Sequence, residues 1–133
     1  MLLWARKLLS GTPVGPRSAW DGGYTEAQST SGQAVYTQTC VSCHADNLAP
    51  TDGTPWLVGD DFLAKWDGAS AGDLFDQIRV TMPQEDPGKL KDQEYADVLA
   101  FIFHANSFPP GQNPIGTDLA ALKSIRIEKK KPE

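Results

Sequence analysis

Cys40-Val41-Ser42-Cys43-His44 is the stretch from which the rest of this chain is read. Both cysteines of its 133 residues and one of its two histidines fall within it. Two thiols on one turn of chain can each form a thioether to the same planar ring. The residue that follows then stands beneath that ring with an imidazole nitrogen to offer a metal. C-x-x-C-H is accordingly the attachment pattern of c-type haem. Other chemistries fit less well. A structural zinc site takes four ligands, usually as two pairs, and only His104 remains to contribute. A thioredoxin-like dithiol normally follows a strand in a βαβ unit, whereas the residues before Cys40 carry a helical pattern. A disulfide between the two cysteines alone gives His44 no role. The motif therefore points to covalent haem c with one iron, attached through Cys40 and Cys43 and ligated by His44.

On the N-terminal side, Thr25-x-x-Gln28 fits a capping box in which Gln28 reaches back to the helix start. From there Gly32, Tyr36, Cys40 and Cys43 recur at steps of four, four and three, which puts them on one helix face. Residues 45–59 are rich in Asp, Asn, Pro and Gly and read as loop. Asp60 is the expected N-cap of a short helix through Phe62, Leu63 and Trp66, and Ser70 caps the next, with Asp73 at N3. Leu74 and Ile78 then face the core, Arg79 follows, and Pro83 to Gly88, with Glu85 and Asp86, reads as a tight acidic loop. Tyr95, Val98, Leu99, Ile102 and Phe103 define an amphipathic helix from about Asp92 to Ala105. Asn106 ends it, with Pro109 and Pro110 beyond. Further on, Asp118 to Leu122 suits one or two helical turns, and Ile125 and Ile127 alternate with polar residues as an extended segment does.

At this length one domain is expected. A hydrophobic content of 40% is modest, so a large apolar cofactor would help fill the core. A net charge of −5 speaks against nucleic acid as a partner. No run of 18 apolar residues is present, so no membrane-spanning helix is expected. Met1 to Ala5 is apolar, but Arg6 and Lys7 interrupt it and no A-x-A site follows, so a signal peptide is not legible.

Met82, which precedes Pro83, is the one methionine besides Met1. Together with C-x-x-C-H, this pair makes the chain resemble a class I, mitochondrial-type cytochrome c. The resemblance implies an all-α fold, with three main helices plus short helices around one covalent haem. It implies His44 as proximal and Met82 as distal iron ligand. The alternatives are Met82 as a gap-filling core residue and His104 as sixth ligand, although a histidine in a last helical turn more often meets free carbonyls. Gly32-x-x-x-Tyr36 resembles the N-terminal helix of that family, where the glycine admits the C-terminal helix and the aromatic packs in the crossing. In similar cytochromes a loop proline gives its carbonyl to the other nitrogen of the haem histidine. Pro55 is the first candidate and Pro50 the second, and either can be a simple turn residue. Trp66 and Arg79 suit the haem propionates, through an indole N–H and a guanidinium fork, or else serve as core aromatic and solvated charge. The expected division is an irregular arm or remnant leader over 1–23, a cytochrome c domain over 24–106, and an extension packed on it over 107–133.

Trp66-Asp67-Gly68, Met82-Pro83-Gln84, Pro87-Gly88, the run Tyr95 to Ile102 and the run Asn106 to Gly111 occur together in one group. They resemble the small bacterial cytochromes c that accompany pyrroloquinoline-quinone-dependent dehydrogenases. Ala45 and Ser107 stand where that group commonly has glycine, the first a departure expected to be sterically mild. The resemblance implies export to the periplasm and an electron carrier, not an enzyme. Its partners would be redox proteins, either a quinoprotein dehydrogenase or a respiratory complex, with membrane association only through a partner or an uncleaved leader. The other readings are a subunit held permanently in a membrane redox complex and a haem sensor or peroxidase. The last needs an open sixth position, which a bound Met82 would close.

Overall fold

A computed structural model describes residues 15–132, and the expectation of a leader over the first residues falls largely outside them. The architecture is all-α. Among the described residues six helices follow a 3-10 turn at Ala19–Asp21: α1 Glu26–Thr39, α2 Val41–His44, α3 Asp60–Trp66, α4 Ala71–Thr81, α5 Asp92–Ala105 and α6 Leu119–Lys123. The described residues form no strand, only isolated bridges from Arg126 to Ser18 and to Ser70.

The α1–α5 pair is the most extensive helix contact. The stripe Tyr95, Val98, Leu99, Ile102 and Phe103 is buried, as its 3.6-residue period requires. Gly32 makes the crossing possible, because a Cβ there would run into the backbone carbonyl of Asp97. One turn later Tyr36 meets Phe101 at 5.1 Å between ring centroids. Its hydroxyl donates to the carbonyl of Ala45 at 2.5 Å, which ties α1 to the residue after His44.

Several local expectations are corrected. Thr25 does accept the Gln28 N–H at 3.1 Å, but the Gln28 side chain does not reach back. It is buried and pairs with both backbone groups of Ile115, accepting from N–H at 2.7 Å and donating to C=O at 2.9 Å. A tertiary clamp outcompetes the capping box. Asp60 is the first helical residue of α3, and Gly59, at φ 98°, takes the cap position. The cap of α5 is Lys91, whose N–H is taken by the Glu94 carboxylate at 2.9 Å. Ala45 is not a mild replacement for glycine: its φ is 66°, and that of Ser107 is 68°. A residue with a Cβ held at such a positive φ carries a strain of about 1–3 kcal/mol. The Ser70–Asp73 capping box forms with both hydrogen bonds at 3.0 Å.

The two flanks close on each other. Trp20 donates its indole N–H to Glu128 O at 2.8 Å and packs edge-on against Phe108 at 4.7 Å. The Tyr24 hydroxyl donates to Phe108 O at 2.5 Å, and burial pushes that phenol up to about 12. Ile125 and Ile127 run extended beside residues 68–71, through Ala71 N–H to Ile125 O and Ile127 N–H to Ala69 O, both at 2.8 Å. Phe108, Ile115, Leu122, Ile125 and Ile127 belong to the same buried cluster as the helix crossing.

Candidate haem site

The end of α1, the turn α2, the loop at 52–57, α3, α4 and one edge of α5 enclose a cavity of about 500 Å³. Cys40 and Cys43 line it with free thiols. His44 and Met82 line it too, as do Pro55 and Trp66. Helical spacing explains much of the wall. Leu74, Gln77, Ile78 and Thr81 of α4 recur at i, i+3, i+4 and i+7, which aligns them on one face. Met82 follows as the extended C-cap residue, so the helix ends where its thioether enters the wall. Phe62, Val98 and Ile102 supply further apolar lining.

His44 is buried, and its Nδ1 lies 3.0 Å from Pro55 O. A carbonyl only accepts, so Nδ1 carries the proton and Nε2 keeps its lone pair. Burial lowers the imidazole below its ordinary value, with the Pro55 contact and Asp52 opposing, which favours the neutral ring a metal ligand must be. Burial, together with Cys43 and Glu85, pushes the Cys40 thiol up to about 11. Pro50 is engaged elsewhere, its carbonyl accepting the Trp56 indole N–H at 2.9 Å.

Arg79 is the site residue that does not line the cavity. Its guanidinium pairs with Asp76 at 2.6 Å and with Asp92 at 3.7 Å and lies over the Phe75 ring, outside the cavity lining. Lys65 stands at the cavity instead, its Nζ 5.8 Å from the Trp66 ring centroid. His104 is absent from the lining: its Nδ1 lies 3.3 Å from the Tyr24 hydroxyl.

Lys65, Trp56 and Asn106 also belong to the site or its support, and no sequence motif marks them for it. The neighbouring Trp66 was the one available signal for Lys65. Asn106 looked like a helix stop, which it is. Its buried amide also accepts from Gly59 N–H at 3.0 Å and donates to Leu57 O at 3.0 Å and Ile102 O at 2.9 Å. It thereby fixes to α5 the loop whose Pro55 carbonyl orients His44.

Two adjacent thiols, a neutral imidazole oriented from behind, a thioether and apolar walls on a single cavity fit haem c. An all-α fold with this cavity defines a c-type cytochrome. The profile of the family described as cytochrome c oxidase, cbb3-type, subunit III matches residues 27–102, more than half of the chain. The chain belongs to that family, and its cofactor is covalently bound haem c with iron. Among solved structures, the sulfane dehydrogenase SoxCD from Paracoccus pantotrophus has a similar fold, with TM-score 0.53 and 17% identity over 90% of this chain. The chain covers 63% of the length of that SoxCD chain. No curated protein sequence matches.

Proposed function

We propose that this protein is a monohaem electron carrier. Cys40 and Cys43 would hold the haem as thioethers, with His44, through Nε2, and Met82 as the residues that would ligate its iron. The carrying observation is that all four of these side chains line one cavity. Bound there, haem c supplies a one-electron iron couple whose potential His/Met ligation raises. Pro55 holds the proton on Nδ1 of His44, and Leu74, Ile78, Val98 and Ile102 exclude water. Trp66, with Lys65 beside it, stands where a propionate can be met. Residues 24–106 form the haem-bearing domain, and the extension 107–133 braces it. A ligand on each side leaves no position for substrate, so the role is transfer and not catalysis.

The donor that fits the resemblance is a periplasmic quinoprotein dehydrogenase, with electrons passing on toward the respiratory chain. The family match favours a second reading, a subunit held in a membrane oxidase complex; no described helix is long and apolar enough to cross a membrane by itself. Denaturing electrophoresis should show haem stain migrating with the chain. The oxidised protein should show the weak far-red sulfur-to-iron band, and Met82→Ala should abolish it. A haem removable by acid–organic extraction, or a band that survives the substitution, overturns the assignment. Reduction by a purified quinoprotein at a rate that falls with salt supports the soluble carrier. Co-purification from detergent-solubilised membranes in fixed ratio with an oxidase supports the bound subunit.

A further inference from the structure

The segment that carries Met82 is open to solvent over Gln84–Lys89. Hydrogen bonds inside it are local, from Asp86 N–H to Pro83 O at 3.0 Å and from Lys89 N–H to Asp86 O at 3.2 Å. Both of its ends converge on one buried group of α5. The Tyr95 hydroxyl donates to Met82 O at 2.7 Å and accepts from Leu90 N–H at 3.3 Å. Tyr95 itself is 1% exposed, so its ring is fixed by the core. An exposed loop is thus closed at its neck by a hydroxyl that cannot move with it.

We propose that Tyr95 is a positioning residue for the distal ligand, holding the main chain of Met82 so that its thioether stays at the metal. This rests on the reading of Met82 as that ligand. The hydroxyl does not touch the cavity; it acts through the backbone carbonyl of Met82. Swinging the thioether away requires the 82–90 segment to lift, and lifting breaks both hydrogen bonds to the hydroxyl. Their loss should therefore raise the fraction of molecules whose sixth position is open. An exogenous ligand that competes for that position reads this fraction directly, because its apparent affinity scales with the population competent to bind.

The test is an imidazole titration of the oxidised, haem-loaded protein, followed by loss of the far-red sulfur-to-iron band. Tyr95→Phe keeps the ring and removes the two hydrogen bonds, and imidazole should bind about five- to tenfold more tightly than to the parent. Tyr24→Phe is the control, since it also removes a buried hydroxyl that donates to a main-chain carbonyl, that of Phe108, and neither residue lines the cavity. Its imidazole affinity should stay within about twofold of the parent, as an effect confined to distant stability predicts. No change in Tyr95→Phe, or an equal gain in both variants, overturns the proposal. A second measurement uses the parent alone: the Leu90 amide should exchange with solvent at least about tenfold more slowly than that of Gly88, as a hydrogen-bonded amide does. Equal exchange overturns the proposal as well. If the parent lacks the far-red band, the reading of Met82 itself fails, which separates that failure from the failure of Tyr95.

Discussion

Replacing Gly32 by alanine puts two effects of opposite sign at one position. In an isolated helix the change is favourable by about 1 kcal/mol, since glycine gives up more backbone freedom. In this protein the new Cβ meets the carbonyl of Asp97, a main-chain group of α5 that cannot rotate aside. The helices must separate, and the Tyr36–Phe101 contact at 5.1 Å separates with them. Overpacking of a tight core site costs about 1–3 kcal/mol, and a backbone obstacle places this case at or above the upper end. Net of propensity, the loss should be about 2 kcal/mol or more, which for a domain of this size lowers the melting temperature by about 5–10 °C. Circular dichroism melts of haem-loaded protein measure it. Ser31→Ala, one position away on the exposed face, isolates propensity and should be neutral or slightly stabilising. A Gly32→Ala melting temperature equal to or above the parent would refute the claim that the glycine is there for close approach.

Distance along the chain separates what could be read from what could not. The capping pair Ser70–Asp73 was legible because both partners lie three residues apart, and the α5 stripe because a helical period is a local property. The covalent haem motif is more local still. Gln28 misled for the opposite reason: its partner Ile115 lies 87 residues away, and no local pattern announces a contact at that range. For Arg79, a cation near a cofactor and a cation between two carboxylates look the same in sequence until Asp92 is placed. The positive φ of Ala45 is likewise tertiary. That residue must turn the chain away directly after His44 while its carbonyl stays on the Tyr36 hydroxyl. The all-α cytochrome fold and its haem therefore follow from short-range signals. The orientation of His44 depends on Asn106, at the C-terminal end of α5, holding a loop that begins near residue 45, which those signals do not reach.

Arg79→Gln should leave the visible spectrum and the reduction potential of the loaded protein unchanged. It should cost less than about 1 kcal/mol, since its ion pairs lie at the surface; a clear potential shift in voltammetry would return Arg79 to the haem. Asp73→Ala tests the cap of α4, where the Ser70 N–H on its carboxylate holds Asp73 below the usual carboxylate range. A depressed folded value means the stabilisation is complete above the unfolded value near about 4 and fades as pH falls through the folded one. The variant should be about 0.5–1 kcal/mol less stable at neutral pH, and urea melts of variant and parent should converge in acid; a gap that persists there refutes the linkage. The clamp between Gln28 and Ile115 carries the most weight for the extension. Gln28 uses both ends of its amide on one buried residue and also donates to Asp97 at 3.2 Å. Truncation to alanine leaves the N–H and C=O of Ile115 without partners inside the core, a loss of about 2–4 kcal/mol for the two together. Gln28→Glu is no rescue, because a carboxylate can accept the Ile115 N–H but faces the Ile115 carbonyl and the Asp97 carboxylate with no hydrogen to give. Both variants should therefore loosen the chain beyond Phe108, and limited proteolysis should cut there faster than in the parent while the haem-bearing core survives. Cleavage at the parent's rate in Gln28→Ala would show that Phe108, Leu122, Ile125 and Ile127 hold the extension by apolar burial alone.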